Sequence, residues 1–228
     1  MSPRDHIMQT SERDAWLHIV KPAELDLHMA AVGQAEANGE IVREMFKRFP
    51  ANAEDRLLVH GCGSCQMFDY LDFQEFGGAS VTFADISPLM LAEANRRLAR
   101  FHEADYDITL DDIENSKLVD AFDGIILVLV LLHVDWRKSL ANMMALNPSR
   151  FYIVEQEQLP GVPSVSGGEE MPPSIREYSE VVEMQLVQRQ ELVGFMEANG
   201  FRPRWTSVCE VTEGKNMVGF VFAKSSAL

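Results

Sequence analysis

Short runs of apolar or alternating residues recur through the central part of the chain, separated by segments with helical periodicity. Each run is too short for a helix of ordinary length and is bounded by turn residues, so each predicts a strand. The run GIILVLVLL at 124–132 lacks polar alternation and predicts a strand buried on both faces, as in a parallel sheet. The predicted strands occupy residues 55–60, 80–85, 106–111, 121–130 and 150–157.

Helix signals lie between these strands. Ser87 precedes Pro88, so an N-cap residue stands directly before the residue favoured at the first helical position. Asp135 is a second N-cap candidate, and a further helix is predicted over residues 64–71, directly after the first strand. Strand and helix therefore alternate, which predicts an α/β, doubly wound sheet with right-handed crossovers.

The N-terminal segment differs from this alternating region. Residues 1–22 are polar and predict a loose arm. Residues 23–48 are rich in Ala, Glu, Leu and Met, and they predict a helix that Gly33 and Gly39 interrupt. We therefore divide the chain into an arm and helical cap at 1–52 and a Rossmann-like domain at 53–228.

The C-terminal third begins with a loop at 158–173 that is rich in Pro, Gly and Ser and long enough to serve as a lid. Ser174 and Glu177 form a capping-box pattern, which predicts the start of a long helix. Asn199–Gly200 is a suitable end for that helix. Two more strands, joined by Thr-Glu-Gly-Lys-Asn, predict a terminal hairpin.

Charge and cysteine content narrow the function classes. The 228 residues include 20 basic and 35 acidic side chains, a net charge of −15, which disfavours nucleic acid as a partner. The longest apolar run is too short to cross a bilayer, and the N-terminus carries no apolar signal core. Three cysteines form no disulfide framework, so a reducing cytoplasm is expected. The acidic composition suits a small-molecule ligand better than a nucleic acid. The oligomeric state stays undetermined.

The stretch RLLVHGCGSCQ at 56–66 has two interpretations. Cys62 and Cys65 at a strand-to-helix turn permit thiol redox chemistry, but the chain is too long and has too many later strands for a thioredoxin-like domain. A zinc site would need a second ligand pair, and Cys209 has no partner nearby in the sequence. The alternative is that Gly61 and Gly63 carry the function, because they allow a tight turn and close approach of a ligand to the backbone.

Three successive strand ends support the glycine interpretation. Asp85 ends the second strand, 22 residues after Gly63, where a carboxylate can accept hydrogen bonds from both ribose hydroxyls of an adenosine. The third strand ends at Asp111–Asp112, where one carboxylate can accept a hydrogen bond from the adenine amino group. We choose Asp112, because Ile113 follows it and can pack on the adenine ring together with Ile86.

This series resembles the class I S-adenosylmethionine-dependent methyltransferases. The stretches LLVHGCGSCQMFDYL, VTFADISPLMLAEANRRL and DDIENSKLVDAFDGIILVLVLLHVDW resemble successive motifs of that family. The resemblance covers about residues 55–225. It implies a mostly parallel seven-stranded sheet, closed by an antiparallel hairpin, with helices on both faces and an N-terminal helical cap.

The resemblance also implies which residues bind which ligand, with S-adenosylmethionine as the cofactor, a small-molecule methyl acceptor and no metal. His133, after the fourth strand, is the candidate catalytic base. The cofactor-binding candidates are Gly61, Cys62, Gly63, Gln66, Asp85, Ile86, Asp112, Ile113, Val128 and Leu129. The substrate-binding candidates are His28, Gln34, Trp136 and Gln156.

Two positions depart from the family pattern. Cys65 stands where the family usually has a third glycine, and Val59 stands where it usually has an acidic residue. These departures keep a noncatalytic binding or regulatory protein open as an alternative. A nicotinamide-dependent oxidoreductase is disfavoured, because position 66 is Gln rather than the glycine that a pyrophosphate site requires. The expected function is methyl transfer to an oxygen or nitrogen of a metabolite.

Overall fold

The structure, a computed structural model, describes residues 11–167 and 170–225. Its centre is one seven-stranded sheet in the order β3-β2-β1-β4-β5-β7-β6. Five strands are parallel, and the terminal hairpin adds two antiparallel strands at one edge, as the sequence predicted. The strands are β1 Arg56–His60, β2 Ser80–Asp85, β3 Tyr106–Leu110, β4 Gly124–Val128, β5 Arg150–Gln158, β6 Phe201–Glu210 and β7 Lys215–Lys224.

The strand order reverses between β1 and β4. The chain runs from β1 outward to β2 and β3, then returns across β1 to place β4 on its other side. Parallel strands that diverge in this way leave a crevice at their carboxyl ends, which is where ligands of open α/β sheets bind. Apart from His28 and Gln34, which precede β1 in the chain, the predicted site residues lie at or just after the carboxyl ends of β1 to β5.

Seven α-helices accompany the sheet within the described residues: α1 Glu12–His18, α2 Pro22–Ala31, α3 Gln34–Arg48, α4 Pro88–Leu98, α5 Trp136–Ala145, α6 Pro173–Val181 and α7 Arg189–Ala198. Ser87 and Asp135 cap α4 and α5 as predicted, accepting from the N–H groups of Met90 and Lys138. No described helix combines the length and hydropathy that a bilayer crossing requires.

The N-terminal segment is more ordered than its sequence suggested. The prediction of a loose arm over residues 1–22 was wrong for residues 12–18, which form α1, while residues 1–10 lie outside the described part of the chain. The helix predicted for 23–48 breaks at Gly33, which has φ 75°. Gly39 does not break it: this residue lies inside α3, where an added Cβ would approach the Cβ of Tyr70 to 2.8 Å.

Two other helix predictions were wrong. Residues 64–71 contain only a 3₁₀ turn at Gln66–Asp69. The predicted long helix is divided into α6 and α7, and the capping box does not form, since the N-cap of α6 is Pro172. Glu24 from α2 accepts the Ser174 N–H at 2.7 Å instead, so a carboxylate distant in sequence satisfies this helix start.

Both faces of the sheet are covered. One core cluster joins α3 to the sheet through Ile41, Met45 and Phe46, and α3 lies so close to β7 that a Cβ at Gly219 would clash with Ile41. The opposite cluster contains α5 and α7. Close packing on both faces explains the unbroken apolar character of β4, as predicted.

Glu155 on β5 is a buried acid on the face of the sheet that α5 and α7 cover. Its side chain is 1% exposed, and neither carboxylate oxygen has a hydrogen-bond partner among the described residues. Burial raises the pKa of Glu155 from its ordinary value of 4.5 to about 8. The carboxyl group is therefore neutral in the folded chain at neutral pH.

The buried acid makes stability depend on pH. The folded chain keeps the Glu155 proton above pH 4.5 while the unfolded chain loses it, so the free energy of unfolding falls as pH rises. Each pH unit between about 5 and 8 lowers the free energy of unfolding by about 1.4 kcal/mol.

Urea titrations at several pH values should show this dependence in the wild type, and Glu155→Gln should lose it. Glu157→Gln, on the same strand but paired with Arg189, should keep it; equal slopes for the wild type and Glu155→Gln would contradict the assignment.

Candidate functional site

A cavity of about 750 Å³ opens at the carboxyl ends of the parallel strands. Its floor is formed by the loops after β1 to β4, and its cover by α1, α2, the first turn of α3 and part of the loop at 158–173. Every residue predicted for the site lines this cavity: His28, Gln34, Gly61, Cys62, Gly63, Gln66, Asp85, Ile86, Asp112, Ile113, Val128, Leu129, His133, Trp136 and Gln156.

The turn after β1 is built from left-handed backbone conformations. Gly61 has φ 66°, Gly63 has φ 53° and Cys65 has φ 58°. A Cβ at Gly61 would clash with Val130, whereas a Cβ at Gly63 would meet no atom within 4 Å. Gly61 is therefore required for packing against the β4 loop, and Gly63 leaves open space toward the cavity. Cys65 adopts the left-handed conformation that a third glycine would adopt without strain.

Asp85 connects this turn to the end of β2. Its Oδ2 accepts the Gly63 N–H at 2.8 Å, and its Oδ1 accepts the Ser87 N–H at 2.8 Å. Burial is the largest influence on Asp85 and leaves its pKa above the ordinary value. The hydrogen bonds from Ser87 and Gly63 and the indole of Trp16 oppose this shift without cancelling it. A carboxylate has about four acceptor positions, so Asp85 keeps capacity for a ligand hydroxyl.

The two carboxylates after β3 occupy different environments. Asp111 is buried, pairs with His60 at 2.9 Å and accepts the Lys117 N–H at 2.8 Å; although burial alone would raise its pKa, these hydrogen bonds lower it. Asp112 is more accessible and pairs with Arg13 of α1 at 3.2 Å. Asp112 also accepts the Glu114 N–H at 3.0 Å and a hydrogen bond from Asn115 Nδ2 at 3.1 Å. Both carboxylates line the cavity, and both already have partners within the chain.

An ion-pair network anchors α2 to the glycine turn. Arg97 of α4 pairs with Asp26 of α2 at 2.6 Å and with Asp69 at 3.2 Å, and it also donates to the Ser64 carbonyl. Asp26 accepts from the Ser64 hydroxyl, and its own carbonyl accepts from Gln66 Nε2 at 2.6 Å. Asp26 thus brings a carboxylate beside the glycine turn. Val59, on the strand before this turn, occupies the position where the resemblance led us to expect an acidic residue.

Amide side chains line the opposite end of the cavity. Gln34 Nε2 donates to Gln156 Oε1 at 2.8 Å, and Gln156 Nε2 donates to the Ser164 carbonyl at 3.1 Å. These bonds connect α3, β5 and the loop at 158–173. Asn38, one turn after Gln34, also lines the cavity, and its buried Oδ1 has no partner among the described residues. His28 lies beside Gly167 of the same loop.

His133 lies across the cavity mouth from the glycine turn, in a cluster that also involves α1 and α6. Its Nδ1 is 3.0 Å from Glu12 Oε1 and 2.9 Å from Tyr178 Oη, and Tyr178 donates to Glu12 at 3.1 Å. The Trp16 ring is 5.1 Å from the His133 ring, centroid to centroid. Trp136, by contrast, is 6% exposed and packs in the core against Phe195.

Cys62 of the turn remains a thiol. Desolvation and the neighbouring Cys65 raise the pKa of Cys62 well above its usual range, which suppresses the thiolate that redox chemistry needs. Within the described residues, no group of three or more His, Cys, Asp or Glu side chains is arranged to hold a metal ion.

Sequence reasoning missed several residues of the site. Glu12, Trp16 and Asp26 come from the N-terminal segment, and Arg97 and Tyr178 come from helices whose sequences suggest only solvent exposure or packing. Asp26 and Arg97 are 71 residues apart, and Glu12 and Tyr178 are 166 apart. No local spacing signals such pairs. The N-cap pattern Ser11 to Asp14 was available to indicate α1.

Comparisons with known proteins agree with this geometry. Residues 58–147 match the family model described as a methyltransferase domain, while no curated protein matches the sequence significantly. Magnesium protoporphyrin IX methyltransferase from Synechocystis PCC 6803, with bound SAH, has a TM-score of 0.63 at 15% identity, covering 85% of this chain and 84% of that chain.

Two further solved structures show how widely the fold is used. Geranyl diphosphate C-methyltransferase from Streptomyces coelicolor A3(2), in complex with Mg²⁺, geranyl diphosphate and S-adenosyl-L-homocysteine, has a TM-score of 0.61 at 15% identity, covering 82% of this chain and 78% of that chain. The [4+2]-cyclase SpnF has a TM-score of 0.60 at 13% identity, covering 82% and 81%. Residues 58–147 thus match a methyltransferase domain model, and the chain shares its fold with solved structures of S-adenosylmethionine-dependent methyltransferases.

Proposed function

We propose that the protein transfers a methyl group from S-adenosylmethionine to an oxygen or nitrogen of a small-molecule acceptor, with His133 as the general base. One observation carries the proposal. The ends of three adjacent parallel strands bring the open backbone at Gly63, the Asp85 carboxylate and the Asp112 carboxylate to one cavity, with His133 across it. A site for a nucleoside and a site for proton transfer therefore share one chamber.

The residues present fit the cofactor. We infer that Asp85 holds the ribose hydroxyls, that Asp112 accepts the adenine amino group, and that Ile86 and Ile113 pack on the ring. The open space at Gly63 supports a bound ligand at this place, and the unpartnered Asn38 Oδ1 offers a further acceptor elsewhere in the same cavity. Gly61, Cys62, Gln66, Val128 and Leu129 complete the cofactor wall, and Asp26 supplies the carboxylate that Val59 does not.

The bound cofactor would supply a methyl group already activated on a sulfonium, so the protein mainly aligns the acceptor and excludes water. The cover formed by α1, α2 and the loop at 158–173 serves both purposes. We infer that His28, Gln34, Trp136 and Gln156 contribute to the acceptor side. We also infer that residues 1–52 act as a cap on the domain at 53–228, in a cytoplasmic protein.

A noncatalytic relative is the second candidate. The [4+2]-cyclase SpnF shares the fold under a name that describes no methyl transfer. Cys65 in a left-handed conformation and Val59 at the family's acidic position are the features of this chain that favour the alternative. Binding of S-adenosylhomocysteine without methyl transfer across a broad panel of acceptors would select it.

Loss of the Asp85 carboxylate should weaken the cofactor site. In Asp85→Asn the charged acceptor for the ribose is lost, so the affinity for S-adenosylhomocysteine should fall on the order of 10- to 100-fold, the cost of a hydrogen bond to a charged group. Isothermal titration calorimetry measures the change directly. Asp107→Asn removes an exposed carboxylate from the neighbouring strand β3 and should bind like the wild type. Unchanged affinity in Asp85→Asn would contradict the assignment.

Cofactor binding should also displace Trp16. The Trp16 side chain lines the cavity and its indole lowers the pKa of Asp85, so an adenosine bound at Asp85 would take over this contact of the side chain while α1 stays in place. Titration with S-adenosylhomocysteine should change the tryptophan emission, and Trp16→Phe should lose most of that change while Trp205→Phe keeps it. An equal change in the wild type and Trp16→Phe would show that Trp16 does not respond to the ligand.

A further inference from the structure

The cluster around His133 fixes the position of a proton. Glu12 Oε1 is 3.0 Å from His133 Nδ1, and a carboxylate oxygen can only accept a hydrogen bond. A contact at this distance therefore requires a proton on Nδ1. In the neutral ring the other nitrogen, Nε2, is then unprotonated and able to act as a base.

Tyr178 reinforces the same arrangement. Burial, together with the neighbouring Glu12, raises the pKa of Tyr178, so its hydroxyl stays protonated. That hydroxyl donates to Glu12 at 3.1 Å, which leaves the Tyr178 oxygen free to accept from His133 Nδ1 at 2.9 Å. Glu12 and Tyr178 thus hold one Nδ1 proton between them, and Nε2 forms no hydrogen bond with any of the described residues.

The chamber beside His133 is mostly apolar on one side. Its wall comes from α1, α2, α6 and the segments that flank α6, and the apolar side chains are Trp16, Val20, Leu25, Met29, Val165, Ile175 and Met184. The charged side chains that line the same region are mainly carboxylates, Glu12, Glu114 and Asp135, and the cations are Arg137 and Arg13, of which Arg13 pairs with Asp112. Such a lining accepts a neutral or cationic molecule with an apolar body and disfavours a phosphate or carboxylate acceptor.

We propose that Glu12 is the positioning residue of His133, and that the acceptor is therefore a hydroxyl or ammonium group on an apolar molecule. A hydroxyl must lose its proton during the transfer, and an ammonium must lose one beforehand to free the nitrogen lone pair. This inference rests on the proposed methyl transfer. The bond between the acceptor atom and the methyl carbon forms as the sulfur–methyl bond breaks, and the bonding electrons return to the sulfur. The acceptor proton passes to His133 Nε2, which leaves an imidazolium beside the Glu12 carboxylate.

The tautomer of His133 tests the proposal without any acceptor. ¹⁵N-histidine NMR of the full chain with S-adenosylhomocysteine should show the Nδ1–H form, the signal being assigned by its loss in His133→Gln. In Glu12→Met, Tyr178 loses its acceptor and should donate to Nδ1, which moves the ring proton to Nε2. Glu12→Gln keeps an acceptor oxygen and should retain the Nδ1–H form. Asp14→Asn, on the exposed side of α1, is the matched control and should resemble the wild type.

Two results would overturn the proposal. One is the Nε2–H form in the wild type, and the other is an unchanged tautomer in a folded Glu12→Met. Should Glu12→Met fail to fold, the wild-type tautomer and that of Glu12→Gln still decide. Calorimetry on the same samples tests the proposed function separately from the tautomer. A protein that does not bind S-adenosylhomocysteine can still show the Nδ1–H form, and a protein that binds it can show the Nε2–H form.

Kinetics add a second, distinct readout once an acceptor is found by screening. Glu12→Met should lower kcat by about 10- to 100-fold, part of the 10²- to 10⁴-fold that a general base supplies, with the KM for the cofactor nearly unchanged. The loss should shrink for acceptors acidic enough to be ionised already. A loss that is equal for all acceptors would indicate a structural role for Glu12 and contradict the positioning role.

Discussion

The hydrogen bonds from Gly63 and Ser87 to one buried carboxylate are the constraint on which the site depends. Through Asp85, the turn after β1 and the start of α4 are held in fixed positions at the point where the sheet order reverses. The turn itself uses left-handed backbone at Gly61, Gly63 and Cys65, which costs energy unless surrounding contacts hold it. A carboxylate that satisfies two backbone donors and keeps free lone pairs can stabilise the turn and still receive a ligand.

The N-terminal helices complete the cavity rather than merely adjoining it. Arg97 ties α2 to the turn through Asp26, and because both side chains are largely buried, removing either one would leave an uncompensated charge and destabilise the chain. Helix α1 brings Glu12 and Trp16 to the cavity and contacts the same carboxylates that we assign to the adenosine. On the proposed function, the segment that would cover the ligand would also supply part of the chemistry, which would couple binding to proton transfer through α1.

Much of the fold could be predicted from the sequence, because it is encoded by local signals. The buried run of β4, the Ser87–Pro88 helix start and the glycine turn each depend on neighbouring residues, and all are present in the structure. Apart from His28 and Gln34, which lie on the N-terminal helices, the residues assigned to the cavity lie at or just after strand ends, and parallel strands bring those ends together. The predictions that were wrong or incomplete concern contacts between residues distant in the sequence. The start of α6 is satisfied by Glu24, from far away in the sequence, and a capping-box pattern cannot report that competition. The contact between His133 and Glu12 joins residues 121 apart, which only the folded chain reveals.

The most direct measurement is a crystal structure of the protein grown with S-adenosylhomocysteine. The account predicts the ribose hydroxyls within hydrogen-bond distance of Asp85, the adenine between Ile86 and Ile113 with its amino group at Asp112, and the sulfur directed toward the His133 side of the cavity. A nucleoside bound elsewhere, or bound here without contact to Asp85, would contradict it.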